Sequence, residues 1–279
     1  MTHQVELPEM QCADINGVGL EFHESGSGDP VVFIHALRDE WYGVLAESAL
    51  TDRYRLIYYH RRGHGQSDST GLPLSVAEQA EDCRAVMQHF GVDRAHLTGL
   101  SAGGAFALQF ATDFPEAVHS LALLEPTVPG VVEADPEAEK QLERVRSLFE
   151  AGEMAAGLDA FLEGIAGPGY KERFDQTLPP GWFDRHLADW APFQHDIAAL
   201  QRWEFTAAHA TRLSAPVLNM KATDSSPRHQ QYHATVQSWI PHAQSAILED
   251  STHTMPQMKP RETAERLFTF FAQYPMDER

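Results

Sequence analysis

A chain of 279 residues is long enough to bury one large core, and an α/β domain of this size needs no second one. Its 21 Lys and Arg against 40 Asp and Glu give a formal net charge of −19, which argues against nucleic acid and anionic membrane surfaces as partners. No charged-then-apolar leader opens it, no apolar run approaches a membrane span, and two cysteines without an obvious pairing suit a reducing compartment, so a cytoplasmic protein is expected.

The stretch around Cys12 is β-like. Leu20-Glu21-Phe22-His23 predicts a strand that ends at the turn Gly26-Ser27-Gly28-Asp29-Pro30, and Val31-Val32-Phe33-Ile34 predicts a buried strand behind it. Arg55-Leu56-Ile57-Tyr58-Tyr59 is the next. Ser75-Val76-Ala77-Glu78 has the form of a capping box, and the stripe Val76, Ala80, Cys83, Met87, Phe90 predicts the helix it opens, with Cys83 in the core. His96-Leu97-Thr98 and Leu121-Ala122-Leu123-Leu124 complete five strand candidates before residue 126. Such alternation marks a mostly parallel twisted sheet with helices on both faces.

The rhythm breaks over 127–213. Leu142, Val145, Leu148 and Phe149 form one helical stripe, an Ala-rich run spans Met154 to Ile165, and Trp182, Phe183, Trp190, Phe193 and Trp203 follow. Val217-Leu218-Asn219-Met220 resumes the sheet, Ser245-Ala246-Ile247-Leu248 adds a strand, and Ala264, Leu267, Phe268 and Phe271 mark a closing amphipathic helix. The expected division is therefore a core α/β domain in two parts, 1–126 and 214–279, with a helical cap inserted at 127–213.

Gly99-Leu100-Ser101-Ala102-Gly103 places a serine between two glycines, with a strand before it and a small-residue helix after it. This is the pattern of a nucleophile elbow: the turn is so sharp that its neighbours must be small, and the hydroxyl is lifted clear of the backbone. A serine needs a base and an orienting acid, in this architecture in the chain order Ser, acid, His. His253, in Asp250-Ser251-Thr252-His253-Thr254 just past the last strand, fits the base. Glu125, ending the strand after the elbow helix, and Asp224, following the strand after the insertion, both reach the same sheet edge, so either can be the acid. The oxyanion hole is expected from the Ala102 N–H and from Leu37 N–H in the loop His35-Ala36-Leu37-Arg38, with His35 as a brace. Among 15 histidines, His60 with His64 and His229 with His233 are four apart, but neither pair has a clear carboxylate or cysteine set, so no metal and no cofactor is expected.

Together these motifs resemble the α/β-hydrolases of the cap-bearing, lipase- and epoxide-hydrolase-like branch over nearly the whole chain. His35-Ala36 stands where that family usually has His-Gly, Arg62-Gly63-His64-Gly65-Gln66-Ser67 is similar to its Arg-Gly-x-Gly-x-Ser turn, and the elbow and His253 complete the set. The resemblance implies the α/β-hydrolase fold. Two departures stand out: Ala36 replaces the glycine, and His60 occupies a place where many members carry Asp. The family's usual Gly-x-x-Asp acid falls, counting from Pro216-Val217-Leu218, on Ser225, with Asp224 one residue early. A subset including certain haloalkane dehalogenases and fungal-type mycotoxin lactonases instead carries the acid after the elbow helix, where Glu125 stands 24 residues beyond Ser101; this favours Glu125.

Dehalogenases and epoxide hydrolases of the family use aspartate at the elbow, so Ser101 implies a serine hydrolase that cleaves a carboxylic ester or lactone through an acyl-enzyme. The aromatic residues of the insertion suggest a small-molecule substrate with an apolar group. A carbon–carbon bond hydrolase of the same fold and a non-catalytic ligand receptor are the alternatives, and a homo-oligomer is left open.

Overall fold

The computed structural model describes residues 5–128 and 136–276. Among these residues the alternating runs become eight strands: β1 (Gln11–Ile15), β2 (Val18–Gly26), β3 (Asp29–Ile34), β4 (Tyr54–Tyr59), β5 (Ala95–Leu100), β6 (Val118–Leu124), β7 (Val217–Ala222) and β8 (Gln244–Leu248). They form one sheet in the order β1-β2-β4-β3-β5-β6-β7-β8. The β1/β2 and β2/β4 pairs are antiparallel and every later pair is parallel. Among the described residues thirteen α-helices surround it: α1 (Tyr42–Leu45), α2 (Ser48–Thr51), α3 (Val76–His89), α4 (Ser101–Asp113), α5 (Pro136–Glu150), α6 (Met154–Ala166), α7 (Tyr170–Thr177), α8 (Trp182–Ala188), α9 (Trp190–Arg202), α10 (Ala207–Ala210), α11 (Pro227–Trp239), α12 (Met255–Met258) and α13 (Pro260–Phe271).

Successive side chains of a strand point to opposite faces, and the core divides accordingly. Val32 and Ile34 pack with Val86 and Phe106 of α3 and α4, whereas Val31 and Phe33 pack with Leu267 and Phe271 of α13. A strand covered on both faces has no polar side to show, which is why β5 is buried at every position. Helix α3 opens with the expected capping box, Ser75 Oγ accepting from Glu78 N and the Glu78 carboxylate accepting from Ser75 N. Cys83 is buried on its inner face.

Three differences from the sequence expectations are local. The β-like stretch at Cys12 is a full strand, with Cys12 exposed on the sheet's antiparallel end. Asp29 and Pro30 belong to β3 and not to the turn, since a proline at a strand start removes no ladder donor that matters. Helix α11, whose apolar periodicity is weak, was not anticipated. Six helices, α5 to α10, lie between β6 and β7 among the described residues. Residues 1–4, 129–135 and 277–279, which fall in the three expected segments, lie outside the described residues. No helix among the described residues is long and apolar enough to cross a membrane.

The parallel strands bring Ile34, Leu100, Leu124, Ala222 and Leu248 to one edge, so the loops that follow them converge there. Helix α4 sits unusually close to this edge. A methyl group on Gly103 would press against the Ile34 carbonyl, and one on Gly99 against the Gly103 carbonyl, backbone atoms that cannot step aside. Gly103→Ala is therefore expected to destabilise the fold by about 1–3 kcal/mol, read as a lowered urea midpoint. An unchanged midpoint would show that α4 is not held this close to β3.

Candidate active site

Strand β5 runs into α4 without a loop, and the turn is made at Ser101, whose φ of +53° lies in the left-handed region. Such a backbone costs on the order of 1–3 kcal/mol for a residue with a side chain and persists only where the surroundings impose it. Here Gly99, Gly103 and Gly104 allow α4 to pack on β3, on β5 and on Pro126. Ser101 is half-buried; its Oγ lies 3.4 Å from Thr127 Oγ1, and Thr127 N–H donates to the Ser101 carbonyl at 2.9 Å. Thr127 was not singled out from the sequence.

His253 follows β8 and is buried. Its Nδ1 lies 2.7 Å from Glu125 Oε2. Glu125 is wholly buried at the end of β6, with its own φ at +41°, and its carboxylate also accepts from Ala222 N–H at Oε1 and from Ser225 Oγ at Oε2, both at 2.9 Å. Of the two candidate acids the fold thus brings Glu125 to His253. Asp224 is exposed; its backbone N–H bonds the Ser251 carbonyl at 2.9 Å, but among the described residues its side chain makes no hydrogen bond to His253. Ser101 Oγ and His253 share no hydrogen bond among the described residues, a contact that commonly tightens only when substrate binds.

Ala102 N–H belongs to the first turn of α4, where backbone donors have no partner within the helix and the dipole favours negative charge. The expectation for Leu37 is corrected. Its N–H donates to Glu40 Oε2 at 3.0 Å while Ala36 N–H donates to Oε1 at 2.8 Å, so Glu40 clasps the loop and Leu37 is not a free donor. Burial raises the Glu40 pKa to about 8, against the pull of the two amides and of Arg61. His35 does brace the loop: its Nε2 accepts from Arg61 N–H at 3.0 Å, and burial and Arg61 hold its pKa well below the usual histidine range.

Of the two histidine pairs four residues apart, His60, His64 and His233 are engaged by protein partners. His60 Nδ1 lies 2.6 Å from Glu21 Oε2 and its Nε2 lies 3.0 Å from the Tyr42 hydroxyl; Glu21 also accepts from Gln66 N–H at 2.8 Å. The carboxylate beside position 60 thus comes from Glu21 on β2. His64 Nε2 is 3.2 Å from Asp196 Oδ2. His233 Nε2 contacts the Asn219 carbonyl and Ser245 Oγ, both at 3.2 Å. His229, in contrast, joins Glu125 and His253 in a group whose potential ligand atoms lie within 4.8 Å of one another, a carboxylate partnership that sequence spacing could not disclose.

The insertion is fastened over this edge by charge. Arg38 Nε lies 3.2 Å from Asp189, Arg185 Nε lies 2.7 Å from Asp39, and Arg61 Nη2 lies 2.8 Å from Asp196, with Asp39, Asp189 and Asp196 buried. Thr252, beside His253, hydrogen-bonds the Ala166 carbonyl at the end of α6. The five aromatic residues noted in the sequence mostly pack on one another: Trp190 stacks on Phe149 at 4.3 Å and meets Phe193, and Trp182 meets Phe183. Trp203 donates to Gln109 Oε1 of α4 at 2.6 Å.

Fold and site define a class. The alpha/beta hydrolase fold family matches residues 29–256, and the chain belongs to that family. It is 26% identical over 227 residues to a bifunctional esterase/perhydrolase of Acinetobacter calcoaceticus, covering 75% of this chain and 79% of that one. An uncharacterized protein of Mycobacterium tuberculosis is 35% identical over 123 residues, 43% of this chain and 36% of that relative's length. The chain thus spans about a third of the mycobacterial relatives it matches. Among solved structures, an enol-lactonase from Burkholderia xenovorans LB400 is similar in fold, with a TM-score of 0.72 at 19% identity over 94% of this chain and all of that one.

The raised pKa of Glu40 has a consequence for stability. Between the ordinary carboxylate range and about pH 8 the folded protein holds a proton that the unfolded chain has released, so stability falls as pH rises through that window. Thermal melts of Glu40→Gln from pH 5 to 8 should show a shallower decline in Tm than the parent; parallel curves would mean that Glu40 is ionised throughout.

Proposed function

We propose that the protein is a serine hydrolase that cleaves a carboxylic ester or lactone through an acyl-enzyme on Ser101. The observation that carries this reading is the 2.7 Å contact between His253 Nδ1 and the buried Glu125 carboxylate at the sheet edge where Ser101 forms the elbow. Ser101 Oγ attacks the carbonyl carbon while His253 takes its proton through Nε2, and Glu125 orients the ring and balances the imidazolium. Ala102 N–H meets the developing oxyanion at the start of α4. Collapse of the intermediate expels the alcohol oxygen, which takes the proton from His253; in a lactone this oxygen stays tethered to the acyl chain. Water then attacks the acyl-enzyme with His253 as base, releasing the acid and restoring Ser101. No step calls for a cofactor.

The esterase/perhydrolase relative and the fold of the enol-lactonase support an acyl substrate. The helical insertion, with Thr252 contacting α6 beside His253, is proposed as the cap that shields the site and receives an apolar group. A net charge of −19 and two free cysteines support a cytoplasmic setting away from nucleic acid and anionic lipid.

A fluorophosphonate is expected to label Ser101 alone, and Ser101→Ala should abolish labelling and most ester turnover while leaving the melting curve in place. A label mapped to another serine would refute the assignment. Because His253 must be neutral to accept a proton, kcat/KM should fall on the acid side; a flat profile over about pH 5 to 8 would remove the histidine base. Glu125→Gln should lose on the order of 10⁴ in kcat, as orienting acids do, whereas Asp224→Asn should stay within about tenfold. The reverse ranking would give the role to Asp224.

A further inference from the structure

One side chain at this site has no part in the reaction just described. His229, in the first turn of α11, lies with its ring against that of His253, the centroids 3.7 Å apart and the planes inclined by 15°. Its Nδ1 is 2.9 Å from the hydroxyl of Ser226, the residue before the helix, so the ring is anchored at its edge as well as on its face. His253 is consequently held on two sides at right angles: Glu125 grips the edge at Nδ1 and His229 covers the flat face. Rotation about the Cβ–Cγ bond of His253 would break both.

The groups around His229 keep it uncharged. It faces His253 and Glu125, Arg228 is its neighbour on α11, and Tyr232 lies one turn on with ring centroids 6.0 Å apart. Burial, then His253 and Arg228, hold its pKa well below the usual histidine range, and the positive end of α11 acts in the same direction. A neutral aromatic ring against a ring that becomes cationic in each turnover offers its π face to the charge. Chelation suits the arrangement less well. Imidazole lone pairs lie in the ring plane, and two nearly parallel planes 3.7 Å apart do not converge on one ion, while Glu125 Oε2 is already engaged by His253 and Ser225.

We propose that His229 is a positioning residue of the hydrolase, its stacked ring fixing the plane of His253 and stabilising the imidazolium formed when Ser101 gives up its proton. This rests on the serine-hydrolase reading above. It is separable from that reading because the stack acts on His253 in the resting protein too.

The test compares His229→Phe, which keeps a flat π face, with His229→Leu and His229→Ala, which do not. Ester kinetics against pH are measured beside an NMR titration of the His253 ring, its signal assigned by its absence in His253→Gln. Leu and Ala should lower kcat by about tenfold or more with KM within about twofold, since the ring is no longer held in line. Both should also move the His253 midpoint and the acid limb of kcat/KM to lower pH by about 0.5 unit. Phe should recover most of kcat and return both midpoints. If Leu matches Phe, the residue fills space and nothing more, and the proposal fails; it fails equally if no variant moves the NMR midpoint. Should Leu not fold, Phe against Ala makes the same comparison. A wild-type protein that neither turns over esters nor reacts with fluorophosphonate would overturn the hydrolase reading, and the NMR midpoints would still decide the stack.

Discussion

The carboxylate of Glu125 is buried out of reach of water, and much of the sheet edge around it is arranged to satisfy it. A buried carboxylate is costly unless its lone pairs are met. Three groups from two segments meet them: Ala222 N–H at the end of β7, Ser225 Oγ in the turn after it, and His253 Nδ1 after β8. One oxygen of one side chain therefore ties down two loops, and His253 arrives in position as part of the same hydrogen-bonding solution. The left-handed backbone at Glu125 itself is the local cost of aiming the carboxylate there.

A shared logic explains both departures from the family pattern. Where the acid usually stands after β7, Ser225 occupies the position, and the carboxylate comes from the adjacent strand β6. Where an aspartate usually follows β4, His60 occupies the position, and Glu21 reaches across from the neighbouring strand β2 to take the Gln66 amide. Adjacent strands lie about 5 Å apart, so a glutamate one strand away delivers its charge to nearly the same point.

This also explains what could be read from the sequence. The sheet, the insertion, the elbow at Ser101 and the place of His253 were legible because apolar periodicity and chain order announce them. The choice between Glu125 and Asp224 was not legible from spacing, because it depends on which carboxylate turns inward, and only the resemblance to one subset of the family favoured Glu125. Leu37 was assigned as a free donor because nothing about a glutamate three residues on says that it will fold back onto the loop amides. His229 stood out only for its spacing from His233, because α11 has little apolar periodicity and its partner His253 lies on another segment.

The three ion pairs between core loops and insertion, each with a buried carboxylate, carry a consequence for how such proteins diversify. Arg38, Asp39 and Arg61 lie on the core side, and Asp189, Arg185 and Asp196 answer them from the insertion. Removing one partner of a buried pair typically costs about 3–5 kcal/mol, far more than trimming an exposed contact. An insertion from a relative, grafted onto this core without those answering charges, would leave Arg38 and Asp39 with only each other at 3.7 Å and Arg61 without a carboxylate. The insertion and the loops beneath it are thus heritable only as a matched set, and a change of substrate preference by wholesale exchange is less accessible than one by substitution within the existing helices.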